Sequence, residues 1–357
     1  MPQAAFSAER KEEYPHLTLV HQIDSSGAVW ATSGRNILVR KPDRDWRKVA
    51  RFPFAPRDLF NIHRMGQRAA RADKCNVYKN RHEQVLAIRS GTVYLWSEKD
   101  GFQELGKIEG DCVLHGSLAE DDAGNVLFGE YTLNEQRGPV RVWRFVAAEN
   151  RIEVAYTFGP GEIRHIHQVA RDPFAEDSYW IFSGDFQGEC YFWKTDSSFQ
   201  NVMRLGDGSQ KWRAVRVFFT PTHLNWITDS HIDQNYAFRM DRATGELERG
   251  QEVDASAWYG IKTTDDLYVA FTTVEEGTGI HTEYSEVLVS DDAFHWESVY
   301  RYKKDAWRPM AVFKSGVIHC PIGEYAASDL LVSGEAMVGF DGTTHRLAIS
   351  RSAPAGA

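Results

Sequence analysis

The chain has 357 residues, of which 42% are hydrophobic and 25% charged, a composition that excludes a disordered or membrane-embedded protein. Its formal net charge of −9 disfavours nucleic acid and anionic membrane surfaces as partners, because both are polyanions. Aromatic residues, which favour half-buried strands, make up 13% of the chain, so the composition predicts a β-rich fold.

The first segment, MPQAAFSAERKEEYPHL, is charged and has no apolar stretch of the signal-peptide type. We therefore interpret residues 1–15 as an N-terminal tail and 352–357 as a C-terminal tail, on either side of one domain that spans 16–351. No apolar run approaches the length of a membrane span. As it stands, the sequence predicts a soluble cytoplasmic protein, or a secreted one if a signal has been removed.

A segment without strand character, PRDLFNIHRMGQRAAR, follows the first predicted group of strands at residues 56–71. Its apolar residues Leu59, Ile62 and Met65 recur at helical spacing and are interspersed with arginines. The pattern predicts a short helical insertion laid over one face of the domain as a lid. The alternative is a helix that only plugs the first group of strands.

A pattern with a period of about fifty residues recurs along the chain. In each copy, a turn residue precedes an apolar residue that leads into a strand. The copies centre on Trp46, Phe102, Ile152, Phe199, Leu247, Trp296 and His345. One copy contains four short strands, as in HIHQVAR, SYWIFSG, CYFWKTD and FQNVMRL, which is typical of a propeller blade. The sequence therefore predicts an all-β, seven-bladed β-propeller with four antiparallel strands per blade, or six blades if the last unit completes the first.

The turn sequence SDDAFHWESV, residues 290–299, is similar to the Asp-box, the Ser-x-Asp-x-Gly-x-Thr-Trp turn that repeats through sialidase-like propellers. KTDSSFQNV and SEKDGFQEL look like eroded copies of the same turn. The chain thus resembles an uncharacterised branch of the sialidase-like (BNR-repeat) β-propeller superfamily. This resemblance implies that the Asp-box turns join third and fourth strands, away from the substrate, and it transfers no catalytic residue.

Polar residues recur at two positions of the predicted blades. At the starts of the innermost strands they are His115, Arg164, His165, His167, Arg213, Arg216, Tyr259 and Arg308. At the ends of the second strands they are Glu130, Asp185, Asp229, His231 and Glu324. Both positions lie at one face of a propeller, so these side chains are expected to ring the mouth of the central channel. The alternative interpretation is a solvated channel mouth with internal ion pairs such as Arg164 with Asp185.

Histidines and carboxylates of this ring suit acid–base chemistry. Strand alternation places His165 and His167 on the same side, with Arg164 on the opposite side or reaching over the end of the strand. A histidine acts as general acid or base near neutral pH, and a pair of carboxylates can hydrolyse a glycosidic bond. The predicted catalytic residues are His165, His167, Asp185, Asp229 and Glu130.

The same histidines also suit a divalent metal ion, the one cofactor that the sequence indicates. His115, from the neighbouring blade, would join His165 and His167 in offering three imidazole nitrogens. Glu130 or Gln168 would complete such a set. Some propeller lyases of the pectate type are similar in building a metal site from several histidines and a glutamine.

The arginines and aromatic residues expected around the channel mouth predict that the ligand is an anionic carbohydrate. Arginine forks bind carboxylate or sulfate groups bidentately, and aromatic rings stack on sugar faces. The predicted substrate-binding residues are Arg164, Arg213, Arg216, Tyr259, Arg308 and Trp258. The sequence therefore predicts a carbohydrate-active enzyme, either a glycoside hydrolase or a lyase, that acts on an acidic glycan at the central funnel. The alternative is a noncatalytic propeller that binds a glycan or a protein.

Overall fold

The computed structural model describes residues 5–352, whose strands form seven sheets, one per blade, so the predicted seven-bladed propeller is confirmed. The first strand in the chain is β1 (Phe6–Tyr14). Blade 1 consists of β2 (Leu19–Ile23), β3 (Val29–Ser33), β4 (Asn36–Arg40) and β5 (Arg47–Arg51). Blade 2 consists of β6 (Asn76–Lys79), β7 (Val85–Arg89), β8 (Thr92–Ser97) and β9 (Gly101–Lys107). Blade 3 consists of β10 (Leu118–Glu120), β11 (Val126–Gly129), β12 (Val140–Val146) and β13 (Arg151–Phe158).

The remaining blades follow in the same way. Blade 4 consists of β14 (Ile166–Arg171), β15 (Tyr179–Ser183), β16 (Cys190–Thr195) and β17 (Met203–Gly208). Blade 5 consists of β18 (Val217–Phe219), β19 (His223–Ile227), β20 (Asn235–Asp241) and β21 (Leu247–Val253). Blade 6 consists of β22 (Ser256–Lys262), β23 (Tyr268–Thr273), β24 (Tyr284–Ser290) and β25 (Glu297–Lys303). The last strands are β26 (Val317–His319), β27 (Ile322–Gly323), β28 (Leu330–Glu335) and β29 (Thr344–Arg351).

Blade 7 is closed by both ends of the chain. Its strand order is β26, β28, β29 and β1, and β1 pairs antiparallel with β29 from Phe6 opposite Arg351 onward. The prediction that residues 1–15 form a tail is therefore wrong, because Phe6–Tyr14 is the outermost strand of this blade. Its sequence gave no strand signal because most of its side chains are charged and exposed, as suits an edge strand. The predicted C-terminal tail lies outside the described residues beyond 352.

The same closure changes the interpretation of the last repeat. His345 lies in β29, the third strand of blade 7, whereas the corresponding markers of other blades precede or begin a fourth strand. The short strand β27 leaves blade 7 and pairs in parallel with β2 of blade 1. The six-bladed alternative is wrong, since β1 supplies the fourth strand that the last unit lacks.

The core lies between neighbouring blades, and its packing positions the strand that precedes the channel mouth in blade 4. Second strands such as β7 and β15 are buried along their whole length. Ile166 of β14 packs in a cluster with Leu127 and Phe158 of blade 3. A Cβ atom at Gly129 would overlap the Ile166 side chain, so only glycine allows the two blades to approach this closely.

The turn that resembles the Asp-box joins β24 and β25, the third and fourth strands of blade 6, as the resemblance implies. Asp292 Oδ1 accepts hydrogen bonds from the backbone N–H groups of Phe294 and His295, both at 2.8 Å. Phe294 and Trp296 are buried beneath the turn. The turn is thus an architectural element at the edge of its blade.

Helical segments cover part of the channel mouth. A 3-10 helix at Pro56–Phe60 and helix α1 (Arg64–Ala70) fall within the predicted insertion, and helix α2 (Met310–Phe313) precedes blade 7. Further 3-10 helices lie at Gln210–Trp212 and Ala327–Asp329. None of the helices among residues 5–352 has the length and apolar character needed to span a membrane.

The burial within the insertion is the reverse of what its apolar spacing suggests. Leu59 and Ile62 are exposed, at 67% and 80%, whereas Arg68 is fully buried. The Arg68 guanidinium donates to Asp305 Oδ2 (2.5 Å), to Asp341 Oδ2 (3.2 Å) and to the carbonyl oxygen of Phe313, the last residue of α2. An ion-pair network rather than an apolar face therefore ties α1 to the propeller.

Candidate functional site

The channel mouth opens into a cavity of about 590 Å³, which we call the funnel. Blades 3 to 6 supply most of its polar lining, and Ala311 and Lys314, in α2 and just after it, lie over one side. A space of this size accommodates a small-molecule ligand. The predicted site residues that line the funnel are Arg164, His165, His167, Asp185, Arg213, Asp229 and Trp258, together with His231.

Two histidines and one aspartate converge in the funnel. His165 lies just before β14, His167 lies within it, and Asp185 follows the neighbouring strand β15. His165 Nε2 lies 3.1 Å from His167 Nε2, and these atoms lie 3.2 and 3.1 Å from the Asp185 oxygens. Asp185 has a φ of 152°, a strained backbone conformation of the kind that concentrates at functional sites.

The backbone sets the orientation of both imidazole rings. His165 Nδ1 lies 2.7 Å from the Thr132 carbonyl oxygen, and His167 Nδ1 lies 3.0 Å from that of Ala214. Because a carbonyl oxygen only accepts, each Nδ1 must carry a hydrogen and donate it. In neutral rings, both Nε2 lone pairs then face each other across 3.1 Å, an arrangement that requires a cation beside them. The cation is either a proton on one ring or a metal ion.

These residues fit a divalent metal ion. The ligand atoms of His165, His167 and Asp185 all lie within 4.8 Å of one another. Two imidazoles and one carboxylate form a donor set that binds transition metals and leaves coordination positions open. The hydrogen bonds from both Nδ1 atoms to carbonyls are the outer contacts that orient metal-binding histidines.

Two arginines neutralise Asp185. Arg164 reaches over the end of its strand, where its Nη1 lies 2.6 Å from Asp185 Oδ2, and Arg213 Nη2 lies 3.2 Å from Oδ1. The ion pair between Arg164 and Asp185, expected as the alternative to a functional ring, therefore forms. Burial alone would raise the pKa of Asp185, but the charges of His165 and Arg213 hold it well below its usual range.

A second pair of carboxyl groups lies on the other side of Arg213. Asp229 accepts hydrogen bonds from Trp258 Nε1 (2.6 Å) and Arg213 Nε (3.2 Å), and Glu275 accepts one from the Ser256 hydroxyl. Burial raises the pKa of Asp229 to about 7, against the opposing charge of Arg213, and the negative charge of Glu275 adds to this rise. Burial raises the pKa of Glu275 as well. Burial therefore favours the protonated form of both carboxyl groups.

Glu275 is not among the candidate site residues predicted from the sequence, although it lines the funnel. Glu275 follows β23 by two residues, as Asp185 follows β15 and Asp229 follows β19. This position at the end of second strands was the signal that could have found it. In blade 7 the sequence predicts the end of the second strand at Glu324, and this prediction is wrong. The second strand of that blade is β28, which ends at Glu335.

The structure does not bring the remaining predicted residues into the cluster. Glu130 is buried outside the funnel lining, where it accepts hydrogen bonds from the backbone N–H groups of Glu109 and Arg141 and from Trp143 Nε1. Its carboxylate is thus occupied by structural contacts. Arg308 is exposed, and its guanidinium donates to carbonyls of its own loop, including that of Asp305.

His115 and Arg216 also lie elsewhere. His115 Nε2 lies 2.6 Å from the Cys320 carbonyl oxygen, and its ring packs against His319 and Tyr259 in a neighbouring part of the channel. Arg216 lies deeper in the channel, where burial lowers its pKa. Asp185, not His115, is therefore the third member of the candidate metal site.

No family model matches the chain, and no curated protein matches it in sequence. Solved structures do match. Oligogalacturonate lyase in complex with manganese has a TM-score of 0.54 and 8% identity over 96% of this chain and 90% of that one. A chain of the mitotic checkpoint complex has a TM-score of 0.53 and 11% identity over 99% and 96%. YCF48 bound to D1 peptide has a TM-score of 0.53 and 11% identity over 100% and 98%. Identities this low establish the shared fold alone.

Proposed function

We propose that the protein is a metal-assisted lyase that cleaves an anionic, uronate-containing oligosaccharide in the funnel. The observation that carries the proposal is the pair of imidazole Nε2 atoms 3.1 Å apart, with Asp185 beside them and both Nδ1 atoms occupied by carbonyls. A site of this kind is preorganised for a cation. Its place at the mouth of an open funnel suits catalysis better than a purely structural role.

His165, His167 and Asp185 would hold the divalent ion, which would supply Lewis-acid polarisation of a substrate carboxylate. Arg164 and Arg213, which lie against Asp185, are placed to bind the same carboxylate through their guanidinium forks. Neutralisation of the negative charge on this carboxylate makes the adjacent C5–H bond of the sugar more acidic, because the carbanion formed there is stabilised. The two arginines thus orient the uronate and stabilise the charge that develops on it.

Asp229 and Glu275 move the proton. In a β-elimination, the C5–H and C4–O4 bonds break, the C4=C5 double bond forms, and the proton passes to the leaving oxygen. The pKa of Asp229, raised to about 7, suits this group to accept and return a proton near neutral pH, and burial raises the pKa of the neighbouring Glu275 as well. Trp258 fixes Asp229 through its indole N–H.

Binding without turnover is the second candidate function. Its support is that both Asp185 oxygens are already paired with guanidinium groups, at 2.6 and 3.2 Å, which satisfies the charges without a metal ion. The similar propeller YCF48 is bound to a peptide in its structure. Asp-box turns are architectural, so the resemblance to sialidase-like propellers is compatible with catalysis and with binding alone.

The test is turnover of oligogalacturonates by the protein loaded with Mn²⁺. A lyase releases one new reducing end per unsaturated product that absorbs in the ultraviolet, and His167→Ala abolishes both signals. His223→Ala is the matched control, since His223 lies at the start of β19, at the opposite end of that strand from Asp229. If new reducing ends appeared without ultraviolet absorbance, the reaction would be a hydrolysis and the proposed elimination would be wrong. Saturable binding with neither signal would establish the noncatalytic function.

A further inference from the structure

A second cavity of about 230 Å³, which we call the side compartment, adjoins the funnel. Arg71, Tyr131, Trp258 and Lys314 line both spaces, so the two cavities adjoin, and we call them together the groove. Blades 7, 1 and 2 contribute the far wall of the side compartment. The groove therefore extends beyond the candidate metal site to the opposite side of the channel.

Two buried side chains in the side compartment have atoms without a hydrogen-bond partner among the described residues. They are Glu335 Oε1 and His319 Nδ1, and both residues are more than nine-tenths buried. The other oxygen of Glu335 accepts a hydrogen bond from Lys74 Nζ at 2.5 Å. Buried polar atoms in native proteins are almost always paired, so these two atoms are available to polar groups that enter the side compartment.

The remaining lining narrows the class of ligand. An ionised carboxylate oxygen accepts only, so Glu335 Oε1 calls for an O–H or N–H donor. Lys314 has no carboxylate partner among the described residues and supplies positive charge for an acidic group, whereas Arg71 is paired with Asp111 and Lys74 with Glu335. Tyr259 and Met310 supply an aromatic ring and an apolar surface against which a sugar face can pack.

Lys314 connects the two spaces. It lies directly after α2, and its ammonium group donates to the Ala311 carbonyl oxygen at 3.3 Å. Burial and the charge of Arg71 lower its pKa, which reflects a cation placed beside another cation. A carboxylate that entered the groove between Arg71 and Lys314 would relieve this repulsion.

We propose that the side compartment is a subsite for the sugar residue next to the one held in the funnel, so that the ligand is an acidic oligosaccharide of at least two residues. Glu335 and His319 bind its hydroxyl groups, and Lys314, which lies beside Arg71, binds its carboxylate. This inference rests on the proposed function and adds the length and orientation of the substrate to it.

The test is calorimetric titration of the Mn²⁺-loaded protein with galacturonate, digalacturonate and trigalacturonate. Ser315→Trp fills the side compartment, because Ser315 lines that space and not the funnel. Ser350→Trp is the matched control, on the exposed side of β29 in the same blade. The wild type and the control should bind the dimer about tenfold or more tightly than the monomer. Ser315→Trp should bind both with equal affinity and leave the monomer affinity unchanged.

His319→Gln provides a second variant, which perturbs the polar contacts without filling the space. It should weaken binding of the dimer more than binding of the monomer. If oligogalacturonates are bound and cleaved but both variants keep the wild-type dependence on chain length, the subsite is wrong while the proposed function survives. If none of the three sugars binds to any variant, the proposed function and the subsite both fail.

Discussion

His165 and His167 face each other through their Nε2 atoms at 3.1 Å, while their Nδ1 atoms are held by the carbonyl groups of Thr132 and Ala214. Two neutral rings in this arrangement would repel each other, so the backbone imposes the need for a proton or a metal ion. The groups around them differ in charge state, since Asp185 stays ionised and Asp229 titrates near neutrality. Arg213 thus lies between two groups of side chains, with the two histidines and Asp185 on one side and Asp229 on the other.

Metal binding is the first property that this arrangement predicts. We expect Mn²⁺ to bind the wild-type protein and to raise its melting temperature, because a ligand at a hundredfold excess over its Kd stabilises the folded state by about 2.7 kcal/mol. His165→Ala removes one ligand and should weaken Mn²⁺ binding about a hundredfold. Calorimetric titration measures this affinity, with His223→Ala as the control outside the funnel. Equal affinity in wild type and His165→Ala would exclude the assigned site.

The pH dependence of stability follows from Asp229. Its pKa rises from 3.8 to about 7 on folding, so the folded state binds the proton more tightly than the unfolded chain does. The stabilisation from this proton is complete below pH 4 and is lost as the pH rises toward 7. The groups that face it are Arg213, Glu275, His167 and Asp185, of which only Arg213 carries a fixed positive charge.

Asp229→Asn should therefore remove this loss of stability. Between pH 5 and pH 8, the free energy of unfolding of the variant should fall by about 1–4 kcal/mol less than that of the wild type. Urea unfolding at both pH values measures the difference. Asp122→Asn is a suitable control, because Asp122 is exposed on another loop. An unchanged pH dependence in Asp229→Asn would show that another group dominates this range.

Glu130 is expected to act on stability and not on turnover. Its buried carboxylate accepts three N–H groups, and Glu130→Gln turns an amide NH₂ toward these donors. We expect a loss of about 2–4 kcal/mol in the free energy of unfolding. Turnover per folded molecule should stay at the wild-type level, as measured on the fraction that remains folded. A loss of turnover without a loss of stability would restore the catalytic role that the sequence suggested.

Closure of the ring by β1 gives a further prediction. Phe6 is buried among residues of blades 6 and 7, including Tyr302 and Leu347, whereas Ser7 next to it is exposed. Phe6→Ala should lower the free energy of unfolding by about 3 kcal/mol, and Ser7→Ala should change it little. Thermal and urea unfolding compare the two variants. Similar stabilities would mean that the N-terminal strand contributes little to closing the propeller.

The residues at the ends of second strands show how much of the site can be predicted from the sequence. Asp185 and Asp229 were found because they recur at the repeat period, and they do lie in the funnel. Glu130 occupies a similar position, but hydrogen-bond donors of its own blade capture its carboxylate. A strand pattern cannot predict that structural N–H groups, and not a ligand, occupy this carboxylate, because the outcome depends on the orientation of N–H groups in neighbouring segments.

The sequence by itself determined blades 1 to 6, since each of them is a run of four consecutive strands whose alternation and turns are local. It also determined that polar residues recur at the starts of innermost strands and at the ends of second strands, because both positions follow the fifty-residue repeat. The tertiary structure alone decided that Phe6–Tyr14 closes blade 7, that Asp185 and not His115 joins the two histidines, and that Glu275 enters the funnel. Those contacts join residues from different blades or distant parts of the chain, and their geometry depends on blade packing and backbone hydrogen bonds that no local pattern records.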